Sequence, residues 1–292
     1  MGYLLVFLAG AGWGTGGIWI NRMTALGASS FMTGFVGHFF AFPMLAIALL
    51  ATRGSEGFQI SRRGLIASMI MGIVTKGFFK MAYDTSIAVA GVSTAAVLLY
   101  TSPVFVAVMS RFVFKEHLAK HQFLALAMNL VGVFLMVTLG DISNLNIQPI
   151  GILLGLTAAF LHASNTIMAK FAGGSDDPLT MTFYMLLFSA ITQSFVAQPW
   201  SAHNLALFAS GEFLLFAFVN ALVTGALANL LYLKGMSMGV EASKAPVLSS
   251  VEVVVATLSG VLLFSEAMNW IGIVGIVLMV LSIYLMNRPT KA

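Results

Sequence analysis

The sequence predicts an all-α membrane protein with ten transmembrane helices, arranged as two inverted five-helix repeats. Its 292 residues are 59% hydrophobic and 8% charged, whereas a soluble domain carries roughly 25% charged residues. The apolar residues form long runs, and a helix needs roughly 20 apolar residues to cross the ~30 Å hydrocarbon core of a bilayer. Segments of the first half also recur in the second half.

Apolar runs separated by polar breaks predict the helices in order: 3–23, 31–52, 65–88, 93–113, 121–140, 150–170, 178–198, 209–234, 243–264 and 268–287. These runs are uniformly apolar, whereas strands of a membrane barrel alternate between apolar and polar residues. No basic segment precedes the first run and no small-residue cleavage site follows it. We therefore interpret it as a spanning helix and not as a removed signal peptide.

The placement of Lys and Arg predicts that both termini are cytoplasmic. In this orientation the inner loops and tails contain most of the basic residues: Arg53, Arg62, Arg63, Arg111, Lys115, Lys120, Lys170, Lys234, Arg288 and Lys291. The outer connections contain Arg22 and the acidic residues Asp141, Glu212 and Glu266. Because basic residues concentrate in cytoplasmic loops, we expect a multi-pass protein of the inner (plasma) membrane.

Two segments of the first half recur about 150 residues later. TSPVFVAVMSRFVFKEHL (101–118) parallels VEVVVATLSGVLLFSEAM (251–268), and MAYDTSIAVAGVSTAAVLL (81–99) parallels NLLYLKGMSMGVEASKAPVL (229–248). The repeats are predicted to be 1–143 and 149–292. Five helices in each half invert the second half, and inverted repeats are typical of secondary transporters that bind substrate near the membrane midplane. We expect Glu116 and Glu266 to end their spans and cap the following helix.

The chain resembles a known family at Trp13-Gly14 and over AGVSTAAVLLYTSPVFVAVMSRFVFKEHL (90–118). These residues and the ten-helix layout resemble EamA-type members of the drug/metabolite transporter superfamily. The second half departs from the pattern because it has no proline equivalent to Pro103, and Pro246 comes earlier. The resemblance implies export or exchange of small metabolites, often amino acids. Related families carry drugs, nucleotide sugars, sugar phosphates or choline, so the substrate stays open.

Charged residues within the spans point to a pathway, because a charge at mid-membrane costs several kcal/mol unless it is paired or hydrated. Lys76 and Glu252 lie near the middle of their predicted helices. Lys76, Lys80 and Asp84 share one helix face, and Lys80 can pair with Asp84. We predict that Lys76 and Glu252 bracket a zwitterionic or anionic ligand. The alternative is a structural ion pair between the halves.

Other polar and aromatic residues near mid-span are candidates for the same cavity. His38 and His162 titrate near neutral pH and can carry protons, although a histidine in a helix bundle also serves packing. Amide and aromatic groups can grip or enclose a ligand, or join neighbouring helices. The remaining predicted substrate-binding residues are Trp13, Lys80, Tyr83, Tyr100, Tyr184, Asn229 and Tyr232.

Two prolines are the predicted gating elements. Pro103 and Pro246 lack a backbone N–H and free a carbonyl one turn earlier. Bent helices at these positions would let the two halves rock around a central site, giving alternating access.

Several motifs are discounted, and we predict neither a cofactor nor a metal site. The chain has no cysteine, which excludes thiolate sites. GWGTGG (12–17) matches a dinucleotide fingerprint, but no strand precedes it. Its glycines instead have small-xxx-small spacing, which allows close helix packing. His117 and His121 lack a third ligand besides Glu116, and no phosphate-binding loop, catalytic motif or nucleic-acid surface is present.

The expected partners are a small-molecule substrate, the lipid bilayer and coupling protons, with a monomer or homodimer as the assembly. A channel and an intramembrane enzyme are the competing functions. A channel would be expected to show a repeated pore ring, and an intramembrane enzyme would need a catalytic constellation. The sequence shows neither pattern. Among transported substrates, drugs, nucleosides and sugars are the alternatives to amino acids.

Overall fold

The computed structural model describes residues 1–143, 145–146, 148–174 and 176–288. Within this part of the chain, nine helices are long and apolar enough to cross a membrane, and a tenth is shorter but apolar. In chain order they are α1 Gly2–Ala25, α2 Ser30–Phe58, α3 Arg62–Ala90, α4 Val92–Val113, α5 Lys120–Thr138, α6 Pro149–Ala172, α7 Pro178–Ala197, α8 Gly211–Ser237, α9 Ala245–Phe264 and α10 Trp270–Met286. The all-α prediction with ten apolar helices is confirmed. Lys291, the last residues of the second repeat and parts of the 141–149 linker lie outside the described residues.

Polar side chains in the connections cap the first turns of the helices that follow them. The Ser29 hydroxyl accepts a hydrogen bond from the Met32 N–H at 3.1 Å, and the Ser61 hydroxyl accepts from the Gly64 N–H at 3.0 Å. The Asp177 carboxylate accepts from the Leu179 N–H at 3.0 Å. These side chains satisfy first-turn donors that have no partner within the helix.

Several helices are interrupted in mid-span, at positions that correspond between the halves. A π-helical segment interrupts α3 at Met71–Phe78, and another interrupts α8 at Ala221–Leu227. The chain also breaks within α4 just before Ser102 and within α9 at Ser250. Such irregular backbone is tolerated at membrane depth only where it is buried in protein or lines a cavity.

The helix pairing is the same for the two halves, in which α1–α5 correspond to α6–α10. α1 packs on α8, and its counterpart α6 packs on α3. α2 pairs with its counterpart α7, and α5 pairs with its counterpart α10. Because ten membrane-crossing helices return the chain to the side where it started, the start of α1 and the end of α10 lie on the same side. We call this side the terminal face and the other side the opposite face.

Candidate functional site

A cavity of about 350 Å³ lies where helices of both halves meet. Its lining comes from eight helices: Trp13, Gly14, Gly16, Gly17, Ile20, Thr33, Gly34, Gly37, His38, Lys76, Phe79, Lys80, Tyr83, Leu99, Tyr100, His162, Gln193, Asn220, Thr224, Asn229, Glu252 and Ala256. Nine of the eleven sequence-predicted binding residues are in this set. The size suits a small organic molecule.

The cavity is directed toward the opposite face. Its lining residues on α2, α3, α4 and α7 lie between the middle of each helix and that face. The terminal half of the bundle is filled by a cluster of buried apolar side chains that includes Val6, Leu49, Val106, Ala169 and Leu248. The site is therefore closed toward the terminal face.

Lys76 and Glu252 bring opposite charges to the cavity from the two halves. Lys76 lies in the π-helical segment of α3, and Glu252 lies in the first turn after the break in α9. Tyr100 lines the cavity beside Glu252. The Lys76 ammonium lies 5.1 Å from the centre of the Trp13 ring and forms no ion pair with a described residue. The alternative of a direct Lys76–Glu252 ion pair is thus not formed, so both charges face the cavity.

Trp13 is held by the second half of the chain. Its indole N–H donates to the Thr224 carbonyl at 3.1 Å, and its ring lies 5.2 Å from the Tyr232 ring. Tyr232 does not line the cavity. Its hydroxyl is 2.7 Å from the Thr166 hydroxyl, and it supports Trp13 from behind.

Asn229 has a structural task at the edge of the cavity. Its side-chain amide donates to the carbonyls of Thr224 at 3.0 Å and Gly225 at 2.7 Å. Both carbonyls belong to the π-helical segment of α8, where the regular backbone ladder is interrupted. Its amide therefore stabilises this segment.

His38 is oriented by two polar residues of α7. Its Nδ1 lies 2.8 Å from the Ser189 hydroxyl and 2.8 Å from the Gln193 amide nitrogen. Both contacts use Nδ1, so the second ring nitrogen of His38, which lines the cavity, is left for a ligand.

An aromatic row forms another wall. The Phe79 ring lies 5.3 Å from the His162 ring and stacks on Tyr83 at 5.9 Å. Nearer the opposite face, the Lys80 ammonium contacts both Asp84 carboxylate oxygens, at 2.6 and 2.7 Å. The predicted Lys80–Asp84 pairing is present, and among the described residues it leaves Lys76 as the lysine of the wall without an ion-pair partner.

Tyr184 and the two prolines lie outside the main cavity. The Tyr184 hydroxyl donates to the Phe58 carbonyl at 2.9 Å, within the apolar packing of the terminal half. Pro103 and Pro246 border a small adjoining space of about 10 Å³ beside Tyr100 and Glu252. They lie near the breaks in α4 and α9. Their gating role remains a prediction.

Gly14 of the discounted GWGTGG motif and the preceding Gly10 hold α1 against α9. A Cβ atom on Gly10 would overlap the Ser249 carbonyl, and one on Gly14 would lie 2.5 Å from the Glu252 carbonyl oxygen. The small-xxx-small interpretation therefore agrees with the packing. Among the described residues, no group of three metal-ligating side chains is found.

Sequence reasoning missed Ser189, Gln193 and Thr33. These residues lie within apolar runs and resemble the polar residues that join neighbouring membrane helices. Their spacing gave no sign that Ser189 and Gln193 of α7 meet His38 of α2, or that Thr33 of α2 lines the cavity.

Comparison with known proteins gives consistent results. The model of the EamA-like transporter family matches residues 1–138 and again 149–288. A Salmonella typhimurium protein described as "Uncharacterized inner membrane transporter YicL" is 25% identical, covering 98% of this chain and 96% of that protein. The Bacillus subtilis "Uncharacterized transporter YyaM" is 22% identical, covering 62% of this chain and 61% of that protein. A solved structure titled "Crystal structure of protein" has the same fold, with a TM-score of 0.81 at 17% identity over 98% of this chain and 96% of that one.

Proposed function

The chain belongs to the EamA-like transporter family, and on this premise we propose that this membrane transporter exports small zwitterionic metabolites of the amino-acid type. The two halves, 1–143 and 149–292, act as inverted repeats that rock around the central cavity. No cofactor is required, because the concentration gradient or a proton gradient drives the movement.

The observation that carries this proposal is the pair of opposite charges on one cavity. A substrate carboxylate would bind Lys76, and its ammonium group would bind Glu252 and the face of Trp13. Each charge would then gain the partner it lacks among the described residues, which offsets the desolvation cost of holding it in the membrane. His38 supplies a further hydrogen-bonding group to the carboxylate side.

The charges also give the orientation of the cavity. The terminal face carries basic residues at its helix ends, and Arg22 lies at the end of α1 near the opposite face. By the positive-inside rule the terminal face is cytoplasmic, so the present cavity faces outward. An exporter releases its substrate from this conformation and an importer binds its substrate in it, so the flux measurement decides the direction of transport.

The test is flux in proteoliposomes that contain the purified protein. We expect saturable transport of an amino acid, with little transport of matched compounds in which the carboxylate is amidated or the amine is acetylated. Equal transport of either blocked compound would overturn the zwitterion assignment. Measurements with and without a pH gradient determine whether protons are coupled.

Lys76→Gln and Glu252→Gln are the informative variants, and Lys234→Gln is the matched control. Lys234 is an exposed lysine at the end of α8, so its replacement should leave flux unchanged. Full flux and affinity in Lys76→Gln would remove the proposed site.

A further inference from the structure

Glu116 joins three parts of the molecule at the terminal face. Its carboxylate accepts hydrogen bonds from the Lys170 ammonium of α6 and, at 2.9 Å each, from the backbone N–H groups of Ala242 and Ser243 between α8 and α9. Lys170 also lies 5.1 Å from the centre of the Phe114 ring. Glu116 was expected to cap the next helix, α5, but it binds the connection that leads into α9.

The charge on Glu116 makes these contacts strong. Burial raises the pKa of the Glu116 carboxyl, but hydrogen bonds from Lys170, Ser243 and Ala242 outweigh burial and hold that pKa below its ordinary value. The group is therefore ionised at neutral pH. Charge-assisted hydrogen bonds are roughly twice as strong as neutral ones.

Glu266 occupies the equivalent position at the opposite face. The N–H of Glu116 donates to the Ser110 carbonyl at 3.3 Å, and the N–H of Glu266 donates to the Gly260 carbonyl at 3.2 Å. The residue before each glutamate has a left-handed backbone, with φ of 58° at Lys115 and 55° at Ser265. The two glutamates therefore end their helices in the same local turn.

The surroundings of the two glutamates differ. Glu266 is exposed and borders an open crevice of about 270 Å³ between α1 and α9. Asn21 of α1 lines the same crevice, at the position that corresponds to Lys170 of α6 when the halves are offset by 149 residues. At the offset of 150 residues that relates Glu116 to Glu266, Val92 corresponds to Ala242 and is exposed, and Ser93 corresponds to Ser243 and is half-buried.

We propose that Glu116 and Glu266 are paired latches that close the terminal and the opposite face in turn. In this structure the Glu116 latch is closed and the Glu266 latch is open. When the terminal face opens, Glu116 releases the connection before α9. Glu266 then accepts hydrogen bonds from Asn21 and from the connection before α4. This inference rests on the proposed alternating access and assigns the residues that hold each face shut.

The test uses single cysteines, because the natural chain contains none. Val106→Cys reports on the terminal side, where Val106 is fully buried, and Ala256→Cys reports on the exposed cavity wall. The two positions correspond between the halves. The measured quantity is the rate of labelling by a hydrophilic maleimide on the full chain in detergent.

We expect Glu116→Gln to raise the labelling rate of the Val106→Cys reporter roughly tenfold, which corresponds to losing one charge-assisted hydrogen bond, without raising that of the Ala256→Cys reporter. Glu266→Gln added to this variant should reverse part of the increase. The control is Glu56→Gln, which removes an exposed carboxylate on the same face.

Two outcomes would overturn the proposal. If the Val106→Cys reporter is labelled at equal rates in the Glu116→Gln and Glu56→Gln backgrounds, Glu116 is not a latch. If adding Glu266→Gln leaves the rate unchanged, Glu266 is not a latch. Labelling needs no substrate, so these failures are distinguishable from absent transport.

Discussion

At the residue scale, the cavity is defined by opposite charges that do not pair with each other across it. The Lys76 ammonium lies over the Trp13 ring, and Glu252 lies beside Tyr100 in the cavity wall. Neither contact neutralises a full charge. A structural ion pair would have placed the two groups together, whereas a binding site needs them apart and accessible.

We expect the two charges to recognise different ends of the substrate. Glu252→Gln should weaken binding of an amino acid roughly ten- to hundredfold, since it removes a hydrogen bond to a charged group. It should leave the weak binding of an amine-free analogue unchanged. Lys76→Gln should also weaken binding of the amino acid, and it should leave the weak binding of a carboxylate-free analogue unchanged. Thermal-shift titrations measure both. Equal sensitivity of all ligands to both variants would contradict the assignment.

Asn229 gives a prediction of a different kind, because its amide is already satisfied by the backbone. Asn229→Ala should lower the free energy of unfolding by about 1–3 kcal/mol, since it removes the side-chain hydrogen bonds to the Thr224 and Gly225 carbonyls. The measurement is thermal melting in detergent. Thr52→Ala is the control, because the exposed Thr52 hydroxyl bonds within its own helix. If Asn229→Ala melts like Thr52→Ala but loses affinity, Asn229 is a ligand-binding residue instead.

At the element scale, the close contact of α1 with α9 sets the position of Glu252. Gly10→Ala should destabilise the protein by about 1–3 kcal/mol, as overpacking does in a filled core, because the new methyl group would meet the Ser249 backbone. Gly17→Ala lies in the same helix with nothing within 4 Å of the added atom, so its melting temperature should stay near the natural value. Equal melting temperatures would contradict this packing.

The break in α4 is the second element prediction. Pro103→Ala restores an N–H that can reach the Leu99 carbonyl, so α4 should straighten and transport should fall while expression stays intact. Unchanged flux in proteoliposomes would show that the break does not depend on the proline. The break in α9 occurs at Ser250, four residues after Pro246, so Pro246→Ala should have the smaller effect.

Hydropathy and repetition were sufficient to predict the ten helices and the shared position of Lys76 and Glu252, because a charge in a membrane span has few stable locations. They did not predict the π-helical segments, which depend on tertiary contacts such as the Trp13 donor to Thr224. They also misplaced Tyr184. The few polar residues of its helix do not form a continuous stripe, so no pattern indicates which face meets the cavity.

At the scale of the whole molecule, the orientation is open to a direct test. In intact cells, a membrane-impermeant thiol reagent should not label Glu56→Cys, because the basic terminal face is expected to be cytoplasmic. Gln148→Cys, which is exposed near the opposite face, should be labelled in the same cells. The reverse pattern would place the termini outside and would turn the present cavity toward the cytoplasm.

Alternating access by two inverted halves is the central claim, and counterflow in proteoliposomes tests it most directly. The measurement is uptake of a labelled amino acid into vesicles preloaded with the unlabelled compound. We expect saturable uptake that the internal substrate accelerates, and we expect this acceleration to disappear in the Lys76→Gln/Glu252→Gln variant while it persists in Lys234→Gln. Uptake that rises linearly with concentration and ignores the internal substrate would contradict the claim.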